Sequence, residues 1–342
     1  MVREVYVSER KRRLTLIIFF GSLILFTLSI ISLSIGSSDV GFKEVIKILI
    51  SGRSETCSRI VMDIRLPRVL SALVISASLS VAGVVLQTLF KNPLIDPYIS
   101  GIASGAAFGA TLSFLLNVTL LSPSSPYAIP VMAFLGALLA LSLTILMSNL
   151  TGGSPLTLVL SGIAVSFLFS SMTTIVIIVG GERVHGVLFW LFGSLITSSW
   201  RFLKVSVPIT LAITMYTLVK ARTLNVLLLG DDEAKQLGVN VKRTRYIFLI
   251  LLSILTAVAV AFNGVIGFVG LIAPHISRLL VGNDHRLLIP TSIYVGSIVL
   301  MISDVTARVV VSPAELPVGT ITSLIGVPLF VHLLLKRGVY YG

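Results

Sequence analysis

Few side chains in this 342-residue sequence can do chemistry, and their spacing narrows what that chemistry is. Arg65 and Arg68 flank Leu66-Pro67 three positions apart, so on a helix both guanidinium groups project to one side. Such a pair either docks a carboxylate, which arginine binds bidentately, or snorkels to anchor the chain among lipid headgroups. Asp304 and Arg308 lie one helical turn apart near the end of an apolar run. A carboxylate in such a run costs about 2.5–3.5 kcal/mol on insertion scales, so a partner is expected. The two form a structural ion pair or part of a polar pathway. The longest polar stretch runs from Leu229 to Val239. Within it, Asp232-Glu233-Ala234 followed by Gly238 reads as a short helix ended by glycine, or as a solvated loop. Two prolines fix the turn Asn92-Pro93-Leu94-Ile95-Asp96-Pro97.

Catalysis finds no constellation here. His185, His275, His285 and His332 fall in separate segments without metal-ligand spacing. The acidic Gly230-Asp231-Asp232-Glu233 lacks the second acidic motif with which a prenyl-transfer-type site would share Mg²⁺. No Gly-x4-Gly-Lys-Ser/Thr pattern occurs, so ATP is not held in that way and energy must come from elsewhere. Cys57 stands alone and cannot form an internal disulfide. The expectation is a chain that is not an enzyme and that carries no cofactor or metal.

These residues are set between long apolar runs. Apolar residues make up 55% of the chain and charged ones 12%, about half the share of a soluble domain; mean hydropathy is +1.03. From Pro97 to Gly181 there is no Asp, Glu, Lys, Arg or His in 85 residues, room for three crossings at about 20 residues each. A soluble enzyme, a disordered tail and a disulfide scaffold are excluded. The net charge of +12 lacks the basic face with interleaved aromatics that nucleic acid requires. The chain reads as an all-α polytopic protein of the cell membrane, one transmembrane domain over 1–342.

Ten runs near 14–35, 69–90, 98–116, 127–148, 156–179, 203–221, 246–262, 265–281, 287–303 and 318–335 predict ten transmembrane helices, with a cytoplasmic loop at 225–245. The first run is too long for a signal peptide and lacks a cleavage site. With both termini in the cytoplasm, sixteen Lys and Arg fall inside and ten outside, as the positive-inside rule asks. Six of those ten gather between helices 1 and 2: Lys43, Lys47, Arg53, Arg59, Arg65 and Arg68. That outer cluster needs a reason. Gly101, Gly105 and Gly109 recur every four residues, which suits close helix packing or a small-residue substrate path. Gly83-Val84 with Pro93 echoes in Gly264-Val265 with Pro274, a hint of a duplicated half. Turns are marked at 122–126 and 151–155.

In order along residues 60–337, the chain resembles the permease subunits of ABC importers for iron-siderophore complexes, vitamin B12 and haem. The resemblance is carried by Arg65-Leu66-Pro67-Arg68, Asn92-Pro93-Leu94 with Asp96-Pro97, and Gly101 with Ser104-Gly105. It continues through Leu229-Gly230 with Leu237-Gly238-Val239, Gly267-Phe268-Val269-Gly270-Leu271 with Pro274-His275, and Asp284-His285-Arg286. It closes on Asp304, Ala307-Arg308 and Ala314-Glu315-Leu316-Pro317-Val318-Gly319.

The resemblance implies a type II importer permease that pairs with a second copy of itself around a central pathway. Two cytoplasmic ATPase subunits would supply the energy, and an extracytoplasmic binding protein would deliver a metal chelate, most simply an iron-siderophore, or a corrinoid or haem. By the resemblance Arg65, Arg68 and Arg308 grip acidic residues on that binding protein, which would account for the outer positive cluster. Asp232, Glu233, Ala234 and Gly238 fall in the segment that docks on the ATPase, and Asn92, Leu94, Ser154 and Thr157 at the inner gate. An ion-coupled secondary transporter is the alternative; it needs carboxylates near the midplane, and helices 2 to 5 offer none.

Overall fold

Inside hydrocarbon every backbone N–H and C=O must find a partner within the chain, and only helices manage this segment by segment. The computed structural model describes residues 2–36, 41–51, 55–116, 127–181, 185–312 and 314–338, and among these the regular structure is entirely helical. Arg53 and the turn 122–126 lie outside the described residues.

The first long helix, α1 (Val2–Ser34), begins well before the apolar run that marks it in the sequence. Two short helices follow, α2 (Phe42–Ser51) and α3 (Glu55–Arg59). A π-helical turn, Ile60–Arg65, leads without a break into α4 (Leu66–Leu89). The expected start at 69 is therefore wrong by more than two turns. Arg59, Asp63, Arg65 and Arg68 end the apolar run in the sequence, but the helix passes through them: Arg65 and Arg68 are met inside the protein, while Arg59 and Asp63 stay exposed. A 3₁₀ turn (Pro97–Ser100) precedes α5 (Ile102–Leu116), and α6 (Ala128–Leu150) and α7 (Pro155–Gly180) follow.

After the short α8 (His185–Leu191) come α9 (Trp200–Val219) and α10 (Ala221–Leu227). The stretch 225–245 is not a loop throughout, since it holds α11 (Asp231–Gln236) and the start of α12 (Val241–Asn263). The break before α13 (Val269–Val281) is built on Gly264 at φ 69° and Phe268 at φ 66°, and α14 (His285–Val309) and α15 (Val318–Gly338) complete the chain.

Among the described residues, seven helical segments are long and apolar enough to cross a membrane, including Arg12–Ser34, Cys57–Leu89 and His285–Val309. Three shorter apolar helices, Ile102–Leu116, Val269–Val281 and Val318–His332, stand beside them. Burial divides them sharply. Almost all of α4 from Val69 to Leu89 is buried, whereas α1 and α7 leave Phe19, Phe26, Phe167 and Ile178 exposed. Such exposure fits lipid contact and fits no aqueous surface.

Glycine sets the closest helix contacts. A Cβ on Gly83 of α4 would lie 1.8 Å from the Gly270 carbonyl oxygen of α13, and one on Gly109 of α5 would lie 2.0 Å from the Met132 carbonyl of α6. Small residues buy this approach where lipid gives no hydrophobic drive to pairing. Gly83 is thus a packing residue inside a helix and Gly264 a break between two, so the echo between the segments is not a structural repeat. Gly83→Leu is expected to lose about 3 kcal/mol or more through overpacking. The yield of monodisperse protein after detergent extraction should collapse, whereas Gly41→Leu, where nothing lies within 4 Å, should match the wild type.

Candidate functional site

Two clusters of charge lie at opposite ends of the bundle. At one end α1 stops at Ser34, leaving its last carbonyls without helical partners. Arginines from two other helices supply the donors. Arg65 Nη1 donates to Leu33 O at 2.6 Å and Ser34 O at 3.2 Å. Arg308 Nη1 donates to Ser32 O at 3.0 Å and Ile35 O at 2.7 Å, and its Nη2 to the Ser32 hydroxyl at 2.6 Å. Positive charge is also the favourable sign at a helix C-terminus.

Asp304 joins the arginines. Its Oδ1 accepts from Arg68 Nε at 2.8 Å, and its Oδ2 lies 2.9 Å from Arg308 Nη2. Arg68 Nη1 reaches Glu315 Oε2 at 2.7 Å. Arg65 is 5% exposed, Arg68 and Arg308 8% each, and Asp304 1%. All three arginines of the docking expectation are drawn into the protein by α1's open carbonyls and by two carboxylates. The sequence shows Asp304 beside Arg308, but Glu315 and the end of α1 are missed as partners. Their separations of 247 and 276 residues leave no local signal.

The other end carries α11, whose Ala234 is fully buried against Leu224, Leu227 and Val241. A Schellman closure ends it: Val239 N bonds Ala234 O at 2.9 Å and Gly238 N bonds Lys235 O at 2.9 Å, with Gly238 at φ 81°. Asp232 and Glu233 are exposed, and so are Leu229 and Leu237. Asp231 ties this short helix to its surroundings. Its carboxylate lies 3.1 Å from Arg245 of α12 and 3.5 Å from Lys91 in the turn after α4. Burial alone would raise the Asp231 carboxyl, but Arg245 and Lys91 outweigh it and hold the group below the usual range. Both links therefore stand at neutral pH and dissolve only on acidification through that lowered value.

The residues expected at the inner gate shape their own turns. Asn92 Oδ1 accepts from Leu94 N at 3.0 Å. Ser154 Oγ accepts from Thr157 N at 3.1 Å, capping α7, and the Thr157 hydroxyl bonds Ser148 Oγ of α6 at 3.2 Å. These contacts fix turn geometry at the end that holds α11. A further network escaped the sequence reading, which weighed His285 as a metal ligand and as part of the Asp284-His285-Arg286 motif. His285 Nε2 lies 2.7 Å from Thr88 Oγ1 of α4, and its Nδ1 lies 2.6 Å from Asn225 Oδ1 of α10. Asn225 Nδ2 in turn donates to Asp284 Oδ1 at 2.7 Å. Among the described residues no group of three or more His, Cys, Asp or Glu is placed to hold a metal ion.

Among the described residues, seven long apolar helices carry charge clusters at two opposite ends of the bundle. The model of the FecCD transport family matches residues 23–336. The chain belongs to this family. An ABC transporter permease protein of Methanocaldococcus jannaschii is 37% identical over 330 residues, covering 93% of this chain and 95% of that one. The cobalamin import system permease BtuC of Halobacterium salinarum is 41% identical, covering 84% and 76%. A solved inward-facing structure of a metal-chelate type ABC transporter superposes with a TM-score of 0.83 at 36% identity, over 94% of this chain and 99% of that one. Other relatives are named for haemin, ferric dicitrate and molybdate transport. This is accordingly an ABC importer permease, a multi-pass protein of the cell membrane.

Proposed function

We propose that this permease carries a metal chelate into the cytoplasm, paired with a second copy of itself. Two cytoplasmic ATPase subunits power it, and an extracytoplasmic binding protein feeds it. Ten helices cross the membrane, the three short ones included, and both termini lie inside with α11. An iron-siderophore is the first choice of cargo, with a corrinoid or haem next. The names of the cobalamin, haemin and metal-chelate relatives support that class.

One observation carries the coupling. At a polar end of the bundle, Leu229 and Leu237 expose 64% and 61% of their surface on either side of α11, beside Asp232 and Glu233. Apolar side chains held out from an anchored helix among charges mark a protein contact. Through Asp231, α11 is joined to the turn that holds Lys91, Asn92 and Leu94. A push on α11 reaches that gate turn through one ion pair, Asp231 with Lys91, while Arg245 ties α11 to α12.

At the outer end, Arg65, Arg68 and Arg308 form the docking centre. Glu315, the more exposed of the two carboxylates there, holds Nη1 of Arg68 until an acid on the binding protein replaces it. Lys43, Lys47 and Arg59, exposed on the short helices just before Arg65, add positive charge to this part of the chain. Proteoliposomes holding the permease, its ATPase and its binding protein should take up labelled ferric siderophore, cobalamin or haem only when ATP is supplied. Uptake driven by an ion gradient without ATP would replace this reading with a secondary transporter.

A further inference from the structure

A cavity of about 540 Å³ opens at the α11 end, between the turn after α6 and the start of α12. Its floor is apolar, made by Ile145, Leu158 and Leu249, and its rim is basic, with Lys235, Lys242 and Arg245. Against these three cations stands one carboxylate, Asp231, already engaged by Arg245 and by Lys91. Lys235 is paired with the exposed Asp232. That leaves uncommitted donors at the mouth. Lys242 is exposed, and Arg245 presents a buried Nε with no hydrogen-bond partner among the described residues.

Asn149 adds an amide. Its Oδ1 accepts from the Tyr246 hydroxyl, which turns its NH₂ donors toward other partners. An apolar floor under a cationic, donor-rich rim asks for an anion, and the volume falls in the range of small-ligand sites. The flanks of the cavity are apolar too: Leu150 and Leu156 stand exposed on either side of the turn. Where α6 and α12 meet a bilayer surface, this is the level of the phosphates. Such a level favours basic side chains beside anionic lipid.

We propose that this cavity binds a phosphate group on Lys242, Arg245 and Asn149, most naturally the headgroup of an anionic phospholipid whose chains follow Ile145, Leu158 and Leu249. The site is independent of cargo and of docking at the opposite end. Its occupant bridges the turn after α6 and the first turn of α12.

The test uses the full-length permease in detergent, titrated with phosphatidylglycerol, phosphatidylcholine or inorganic phosphate. Bound lipid is counted by native mass spectrometry, and stabilisation is read as Tm. Phosphatidylglycerol should bind and raise Tm where phosphatidylcholine does not. Lys242→Glu, at an exposed position, should weaken that binding about tenfold, the effect of reversing one charge at the membrane surface. Arg245→Gln should weaken it as well, and a size-exclusion profile shows whether each variant is folded. Phosphatidylglycerol bound undiminished in excess inorganic phosphate identifies the lipid headgroup as the source. Stabilisation and displacement by inorganic phosphate itself identify a free phosphate, and either result supports the site. Binding equal in the wild type and Lys242→Glu, or no preference for phosphatidylglycerol over phosphatidylcholine without a phosphate effect, overturns it.

Discussion

Asp304→Ala should destabilise the permease by about 3–5 kcal/mol, the range for removing one partner of a buried ion pair. The carboxylate is 1% exposed and serves two guanidinium groups at once, Oδ1 to Arg68 and Oδ2 to Arg308. Its loss leaves Arg308 buried with only backbone and hydroxyl acceptors, and Arg68 with Glu315 alone. Asp304→Asn keeps the shape but removes the charge, and should fall between the two. The decisive comparison is Asp304→Leu combined with Arg308→Met. If the loss comes from an uncompensated buried charge, removing both partners should recover much of it. Tm in detergent measures all four proteins. An Asp304→Ala variant within about 0.5 kcal/mol of the wild type, the scale of an ordinary surface substitution, would show that the cluster carries no such energy.

This cluster also bears on docking. Reversing Arg68 to Glu would break the internal pair as well as any external one, so lost capture of a binding protein would not assign a role. Glu315→Gln is cleaner. It removes the charge that holds Arg68 Nη1 while leaving Asp304 in place, and under the docking reading it should strengthen capture.

The apolar runs were legible because lipid imposes one requirement, a long uncharged helix, that composition alone can reveal. The π-helical entry to α4 was not, since Arg65 and Arg68 look like the end of a span until Asp304, Glu315 and the carbonyls of α1 are seen around them. Ser154 and Thr157 show the same limit in a milder form. Their types suit a polar path equally well, and only the distances reveal a helix cap. The segment around α11 was the more readable, because a helix start, a buried alanine and a closing glycine are all local features. Its connection to Lys91 crosses 140 residues and had no sequence signature.

Gly238→Trp should abolish uptake while leaving the protein folded and in the membrane. Gly238 has φ 81°, and a Cβ built on it meets nothing within 4 Å. Among the described residues a Cβ there has open space, so the intrinsic cost is the left-handed backbone, about 1–2 kcal/mol for an ordinary L-residue. That open space adjoins the exposed Leu237, on the face that the proposed coupling would give to the ATPase. Two causes of failure are thus possible, and asparagine separates them. Asn adopts the left-handed region with little strain and is small. If Gly238 serves only the turn, Gly238→Asn and Gly238→Trp should differ in Tm and hardly in ATP-driven uptake per folded molecule. If the space belongs to the ATPase, Gly238→Trp should also lose co-purification of that subunit, with Gly238→Asn retaining both uptake and partner. Undiminished uptake by folded Gly238→Trp would remove α11 from the coupling path and leave the gate turn to be driven from another surface.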